Sequence, residues 1–265
     1  MPEYKMLVGG ELVAGDDTME VINPATGKTF AVVPRASKAQ ANQAISAAKI
    51  AQTSWADVAF ADRQAKLTEL ADAIAARGDE LARVLTTEQG KPLTEAQGEV
   101  AWTEGFLRHY ATLELPDRVI QDDENAYVAL QHKPLGVVVG IIAWNFPLLV
   151  ACWKIGPATL AGNTIILKPA PTTPVTALLL GEICHEVFPA GVVSIITDAN
   201  DLGPHLTSHP DVSKVGFTGS TATGKAIAGN TASTLKRITL ELGGNDPAIV
   251  LHDVDVKETA QQIFN

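Results

Sequence analysis

The second half of the sequence alternates short β-branched runs with helical segments, and no other feature limits the fold as strongly. The β-branched runs cover residues 137–143, 164–169, 192–197, 214–220, 237–242 and 247–251. Strands that are separated by helices pair in parallel, and the helices cover both faces of the sheet. Residues 134–254 are therefore predicted to form an α/β unit built on a doubly wound parallel sheet.

The region 1–117 has the pattern of a hairpin followed by helices. "MLVGGELV" places a Gly-Gly turn between two short apolar runs, which predicts a hairpin. Ser37 is suited to cap a first helix, a second helical region is interrupted at Gly78, and a third helix is predicted over 93–113. Residues 118–133 then predict exposed strands that are joined by an acidic turn.

Net charge and cysteine content exclude several classes of protein. The formal net charge is −10 and the sequence has no cluster of Lys and Arg, which argues against a nucleic-acid partner or an anionic membrane surface. Two cysteines do not make a disulfide framework, and the N-terminus lacks the pattern of a signal peptide. We therefore expect a cytoplasmic protein.

The uncharged stretch between Lys133 and Lys154 is long enough to span a bilayer. Its interior argues against a membrane span. "GVVVGIIA" is typical of a buried strand, and Pro147 in "NFP" removes a backbone donor and ends that strand. We predict a strand, a turn and a new helix here, and no membrane partner.

Ligand-binding residues in a doubly wound sheet are expected at the carboxyl ends of its strands. Trp144 and Asn145 follow the first strand of the sheet, where they either form a capped turn or present an amide donor to a reacting oxygen. Lys168 ends the next strand, and its ammonium group either extends to water or hydrogen-bonds a ribose or phosphate.

Two later strand ends carry further candidates. In "FTGSTATG", Gly219 and Ser220 connect a strand to a helix whose free N–H groups attract phosphate oxygens, although any strand–helix turn can hold glycines. Gly224 lets that helix approach the sheet. Glu241 lies in the apolar run "ITLELGG", where burial would make it a usable general base near neutral pH. The alternative is a carboxylate that hydrogen-bonds nearby backbone.

The cysteines and histidines give weaker signals. Cys152 and Cys184 fall in predicted helices and are expected to be small buried side chains. His205 and His209 are four residues apart and are spaced to form one face of a metal site. Pro210 ends the helix there and no third ligand is evident, so we predict a solvated helix end and no metal.

Five stretches of the chain match a known pattern in order and in spacing. They are "NPATGK" (23–28), "EQGKPLTEAQGEV" (88–100), "IIAWNFPLLVACWKIGPATLAGNTIILKPAPTTP" (141–174), "FTGSTATG" (217–224) and "LELGGNDP" (240–247). Together they resemble the aldehyde dehydrogenase superfamily along nearly the whole chain. The resemblance implies a Rossmann-like dinucleotide-binding core, an NAD(P) cofactor, and oxidation of an aldehyde to a carboxylic acid through a cysteine thioester.

The resemblance also implies roles for single residues. Asn145 matches the amide that holds the reaction's oxyanion, and Glu241 matches the general base that activates water to hydrolyse the thioester. Lys168 matches the lysine on the adenosine ribose, while Gly219 and Ser220 match the turn beneath the pyrophosphate. Further cofactor contacts are implied at Ile142, Ala143, Trp144, Asn145 and Leu242, the last near the nicotinamide.

Two residues depart from the family's pattern. Pro171 stands where many members have an acidic residue that helps to select NAD, so we expect NAD but leave NADP open. Asp198 stands where a glycine is common beside the adenine pocket. It either adds charge near the ribose or shapes the turn.

The family's nucleophilic cysteine follows the glutamate by roughly thirty-odd residues, about ten beyond Asn265, and neither Cys152 nor Cys184 matches it. We therefore expect an amino-terminal, cofactor-binding portion in which residues 255–265 begin a truncated catalytic domain. Residues 118–133 match the bridging strands with which family members form homo-oligomers. A gene fragment is one explanation. The alternatives are a non-catalytic dinucleotide-binding or interaction module, and a portion that works with a separately encoded C-terminal half.

Overall fold

Two β-hairpins open the chain in the computed structural model, which describes residues 3–264. Their strands are β1 (Met6–Val8), β2 (Glu11–Val13), β3 (Asp17–Asn23) and β4 (Lys28–Arg35). The first hairpin turns at Gly9 and Gly10, whose φ angles are 63° and 95°, as the Gly-Gly turn predicts. The second hairpin turns within "NPATGK", and the sequence pattern did not predict it.

Four helices follow the hairpins. They are α1 (Lys38–Ala56), α2 (Phe60–Ala76), α3 (Gly78–Gln89) and α4 (Leu93–Tyr110). The Ser37 hydroxyl accepts the N–H of Gln40 and the Gln40 side chain accepts the N–H of Ser37, so the predicted cap is confirmed and forms a capping box. The predicted interruption at Gly78 is confirmed as the boundary between α2 and α3.

An exposed hairpin separates these helices from the rest of the sheet. Its strands are β5 (Arg118–Asp122) and β6 (Tyr127–Leu130). The Asp123 carboxylate accepts the backbone N–H groups of Asn125 and Ala126 at 2.8 and 3.1 Å, which closes the acidic turn that the sequence predicts.

The second half of the chain alternates strands and helices as predicted. The elements are β7 (Val137–Ile141), α5 (Pro147–Leu160), β8 (Thr164–Lys168), α6 (Val175–Val187), β9 (Val193–Ile195), α7 (Gly203–Ser208), β10 (Val212–Gly219), α8 (Thr221–Ala232), β11 (Arg237–Leu242) and α9 (Val256–Phe264). The uncharged stretch before Lys154 is a strand, a turn and the start of α5. Among residues 3–264, no helix is both long and apolar enough to cross a membrane.

The main sheet has the strand order β11-β10-β7-β8-β9-β1-β2. Its first five strands are parallel, β1 pairs antiparallel to β9, and β2 pairs antiparallel to β1. Val138 packs into a core with α2, α5 and α6, and its neighbour Val139 packs into a second core with α1. Helices therefore cover both faces, and the doubly wound, Rossmann-like prediction is confirmed. After β9 the chain returns to place β10 beside β7, so the strand order reverses between those two strands.

One predicted strand is wrong. Residues 247–251 form no strand, and Ile249 is 87% exposed. The apolar run lies beyond the edge strand β11, and among the described residues no neighbouring strand pairs with it. A β-branched run that pairs with no neighbouring strand does not form a strand itself, because most of a strand's stability comes from hydrogen bonds and side-chain packing with its neighbours.

Candidate functional site

A cleft of about 1060 Å³ opens at the carboxyl ends of β7, β8 and β10, where the strand order reverses. Its volume is slightly above the usual range of about 300–1,000 Å³ for small-molecule sites. Most of the residues that the resemblance implies for the cofactor line this cleft: Ile142, Ala143, Trp144, Asn145, Lys168, Gly219 and Ser220. Leu242 is not in the lining, whereas the next residue, Gly243, is.

A buried ion pair holds the turn that carries Asn145. The side chains of Lys91 and Glu99 form a salt bridge and are 6% and 0% exposed. The Lys91 ammonium also donates to the carbonyl oxygen of Asn145 at 2.8 Å and lies 4.0 Å from the centre of the Phe146 ring. These contacts fix the backbone from which the Asn145 amide projects. No sequence motif predicts this role for Lys91 or Glu99.

Glu99 also caps the helix that follows the turn. Its Oε1 accepts the N–H groups of Leu148 and Leu149 at 2.9 and 3.1 Å, in the first turn of α5. A carboxylate is favourable at a helix N-terminus because it satisfies unpaired donors and interacts well with the helix dipole. One side chain therefore joins α4, α5 and the Asn145 turn.

A second buried glutamate plays the same part at the next helix. Glu88 accepts the N–H groups of Val175 and Thr176 at 2.7 and 3.0 Å, in the first turn of α6. Burial raises the pKa of Glu88 to about 7, although the hydrogen bonds from α6 oppose the shift. Both capping glutamates lie within the stretch "EQGKPLTEAQGEV", and no local sequence pattern distinguishes them from charged residues on the surface.

Lys168 meets a carboxylate at the edge of the cleft. Its Nζ donates to Asp198 Oδ1 at 2.7 Å and to the carbonyl oxygen of Pro169 at 3.3 Å. Lys168 is 4% exposed and Asp198 is 0% exposed, so the lysine lines the cleft without extending to bulk water. The other Asp198 oxygen accepts the N–H of Leu202 at 2.9 Å, next to the start of α7. Asp198 thus both shapes the turn and places a charge.

The turn before α8 has the geometry expected of a helix start. Ser220 is the N-cap, and its Oγ accepts the N–H of Thr223 at 3.2 Å. Other N–H groups of the first turn have no partner within a helix and point out of its N-terminus toward the cleft. A Cβ at Gly224 would lie 2.6 Å from Leu242 Cδ2, so the prediction that Gly224 lets this helix approach the sheet is confirmed.

An apolar groove of about 480 Å³ lies on the other side of Asn145. Its lining is mainly aromatic and aliphatic: Trp102, Phe106, Phe146, Leu149, Val150 and Trp153. Asn145 and Thr218 line both the groove and the cleft. The Asn145 amide therefore stands at the junction of a large cleft and a small apolar groove.

Glu241 lies in β11 directly beside Thr218 of β10. Side chains that are paired across two strands project to the same face of a sheet. The carboxylate is therefore on the Thr218 side, but it is exposed. The expected burial of Glu241 is wrong, because β11 is an edge strand among the described residues and only β10 flanks it.

Lys154 is a functional candidate that the sequence analysis missed. Its Nζ donates to Thr218 Oγ1 at 3.0 Å. Burial lowers the pKa of Lys154 to about 8, and the nearby charge of Glu241 partly opposes that shift. A Cβ at Gly140 of β7 would lie 3.1 Å from the Lys154 stem, so the strand glycine leaves room for the lysine. A glycine inside a buried strand is the signal that points to such a close approach.

The two cysteines lie in the core. Cys152 and Cys184 are both 0% exposed, and burial raises the pKa of each thiol, which keeps them protonated. The prediction of small buried side chains is confirmed. His209 lies just past α7, with its ring centre 5.9 Å from that of His205. Within residues 3–264, no group of three or more His, Cys, Asp or Glu is placed to hold a metal ion.

Comparison with known proteins gives one consistent result. The model of the aldehyde dehydrogenase family matches residues 12–265. Phenylacetaldehyde dehydrogenase from Pseudomonas fluorescens is 41% identical over 97% of this chain and 54% of its own length. Succinate-semialdehyde dehydrogenase from Burkholderia pseudomallei has a crystal structure that is 39% identical, with a TM-score of 0.94 over 98% of this chain and 55% of that one.

A third similar protein carries a bound cofactor. The crystal structure of a betaine aldehyde dehydrogenase point mutant from Staphylococcus aureus, in complex with NAD+, is 32% identical with a TM-score of 0.95. The match covers 98% of this chain and 54% of that one. The chain thus spans about half the length of the relatives that it matches.

Proposed function

The chain belongs to the aldehyde dehydrogenase family, and on that premise we propose that it forms the cofactor-binding part of an enzyme that oxidises an aldehyde to a carboxylic acid with NAD. The observation that carries the proposal is the convergence of Asn145, Lys168, Gly219 and Ser220 on one cleft of about 1060 Å³. The volume and the donors fit a dinucleotide, because the start of α8 offers N–H groups to a pyrophosphate. The NAD+ complex of a similar enzyme supports this reading.

In the proposed reaction, a cysteine thiolate, which neither Cys152 nor Cys184 supplies, bonds to the aldehyde carbon as the C=O π bond breaks, and Asn145 donates its side-chain amide N–H to the oxyanion that forms. Donors of this kind contribute roughly 10²–10³ in rate. Loss of hydride from the aldehyde carbon then leaves the thioester. When bound, NAD supplies the acceptor for the hydride that leaves the same carbon. Glu241 takes a proton from the water that hydrolyses the thioester. Lys154 lies near that carboxylate, whose charge partly opposes the lowering of the Lys154 pKa by burial.

We propose that the aldehyde's carbon chain lies in the groove beside Asn145. The groove has aromatic and aliphatic walls, and none of its lining side chains is charged. An apolar wall favours an uncharged substituent because a carboxylate would lose its hydration without gaining a partner. Of the substrates named for the relatives, phenylacetaldehyde fits this groove better than succinate semialdehyde.

The nucleophilic thiol of the proposed reaction is neither Cys152 nor Cys184, because both are buried and protonated. In this proposal, the described chain supplies the cofactor cleft, the oxyanion donor Asn145 and the base Glu241. Accordingly, the chain should bind NAD without oxidising aldehydes on its own. Sustained aldehyde oxidation by the 265-residue chain alone would contradict this assignment of the thiol.

Calorimetric titration of the purified chain with NAD tests the proposal. Ala226 of α8 lines the cleft, so Ala226→Phe should fill it and weaken NAD binding by more than about tenfold, equivalent to ~1.4 kcal/mol. Ala232→Phe is the matched control, because Ala232 lies on the same helix, is exposed and does not line the cleft. We expect its affinity for NAD to equal that of the wild type.

Two outcomes would contradict the proposed site. The first is that the wild-type chain does not bind NAD at millimolar concentration. The second is that both Phe variants bind NAD as the wild type does, which would place the cofactor elsewhere. Thermal melting of each variant checks that a lost affinity does not come from unfolding.

The organisation of the chain remains a proposal that the family supports. We divide it into the N-terminal region 1–117, bridging strands at 118–133, the dinucleotide-binding core at 134–254 and the start of a catalytic domain at 255–265. The exposed apolar side chains of β5 and β6, among them Ile120 at 62%, suit a role in homo-oligomer contacts. The two free thiols favour a cytoplasmic location.

A further inference from the structure

Lys168 is the one charged side chain among the described residues that line the cofactor cleft. It ends β8, the second parallel strand of the core in chain order. In doubly wound folds, the end of that strand lies at the adenosine ribose, where an acid selects the free 2′-hydroxyl and a cation accommodates a 2′-phosphate. A free ammonium group here would therefore favour the phosphorylated cofactor, NADP.

The Lys168 ammonium is not free. Its hydrogen bonds go to the Asp198 carboxylate at 2.7 Å, the Pro169 carbonyl oxygen at 3.3 Å and Asn200 Oδ1 at 3.5 Å. Asp198 is fully buried and reaches the lysine from the segment that follows β9. The pair has no net charge. A 2′-phosphate would have to compete with this carboxylate for the same donor, and would also be repelled by it.

From this geometry we propose that Asp198 makes the chain selective for NAD over NADP, by neutralising Lys168 at the place where a 2′-phosphate would lie. The inference rests on the proposed function, since it assumes that the cleft holds the cofactor. Pro171 lines the cleft beside the pair and contributes no charge. The selecting carboxylate therefore comes from the strand end after β9, whereas the resemblance implies one three residues past the lysine.

Calorimetric affinities for NAD and NADP, measured on the wild type and on Asp198→Asn, test the inference. We expect the wild type to bind NAD at least about tenfold more tightly than NADP, and Asp198→Asn to reduce that ratio by about tenfold or more. The Asn side chain keeps an oxygen for the Leu202 N–H, so the turn retains its hydrogen bond. Asp201→Asn changes the net charge equally, but Asp201 is exposed and pairs with Arg35, so the ratio should not change.

A second variant shows whether the effect acts through Lys168. The double change Lys168→Gln with Asp198→Asn leaves no unpaired buried charge, so it should fold even if the single variant does not. It should lack any gain in NADP affinity. Three results would overturn the inference: equal binding of NAD and NADP by the wild type, an unchanged ratio in Asp198→Asn, or a gain in NADP affinity that persists in the double variant. If the wild type binds neither cofactor, the proposed function itself fails, together with this inference.

Discussion

Replacing Glu99 with Gln tests how the turn that carries Asn145 is held. The Gln side chain keeps an oxygen for the N–H groups of Leu148 and Leu149, but it removes the negative charge that balances Lys91. The Lys91 side chain is only 6% exposed, so water cannot replace the lost partner. Removing one member of a buried ion pair costs about 3–5 kcal/mol. We expect the free energy of unfolding to fall by about that amount.

Urea denaturation followed by circular dichroism measures this loss. Asp72→Asn is the matched control, since the Asp72 side chain is 63% exposed and pairs with Arg108 on the surface. Exposed salt bridges contribute little, so this variant should unfold close to the wild type. Adding Lys91→Met to Glu99→Gln should restore part of the stability, because no buried charge then remains unpaired.

Equal stability of Glu99→Gln and Asp72→Asn would refute the reasoning. It would mean that Lys91 finds another partner or water when the carboxylate is gone. The double variant Lys91→Met with Glu99→Gln gives a second test. If its loss of stability equals the sum of the losses in Lys91→Met and Glu99→Gln, the result would also count against the reasoning, because additive losses indicate that the two side chains do not interact.

Three further predictions concern other parts of the chain. Burial raises the pKa of Glu88 from 4.5 to about 7, so the folded state binds this proton more tightly than the unfolded state does. Relative to Glu88→Gln, the wild type should therefore lose up to about 3 kcal/mol of stability as pH rises from 4.5 to 7. Denaturation at several pH values measures this loss. Gly191→Ala should destabilise the protein by more than about 2 kcal/mol, because φ at Gly191 is 82° and the new Cβ would lie 2.8 Å from a carbonyl oxygen of α1. Gly229→Ala, in open space on α8, should instead stabilise the protein by up to about 1 kcal/mol. Similar melting temperatures for the two variants would contradict this prediction. NMR titration should show a pKa near 8 for Lys154, and Glu241→Gln should lower that pKa further. An unchanged Lys154 pKa in Glu241→Gln would show that the two side chains do not interact.

Much of the fold follows from local sequence. Ser37 caps α1, Gly78 separates α2 from α3, and the β-branched runs from Val137 onward become parallel strands. Caps, turns and periodicity are properties of a few adjacent residues, which is why they can be read directly. The error at 247–251 has the opposite cause, because that run has the composition of a strand but no strand beside it in the described chain.

The candidate site shows where local sequence is insufficient. The strand ends and the family motifs placed Asn145, Lys168, Gly219 and Ser220, and the structure brings all four to one cleft. The partners of these residues come from elsewhere in the chain. Lys91 reaches the Asn145 carbonyl oxygen across 54 positions, and Asp198 reaches Lys168 across 30.

The sequence by itself therefore determined the parallel α/β architecture, the strand ends at which chemistry is expected, and the residue types available there. Only the tertiary structure decided which ionisable side chains are buried and which charges are paired. It buried Glu88, Glu99 and Asp198 and left Glu241 exposed on an edge strand. The physical reason is that the environment of a charge depends on distant elements packing around it, and hydrophobic periodicity describes only the element itself.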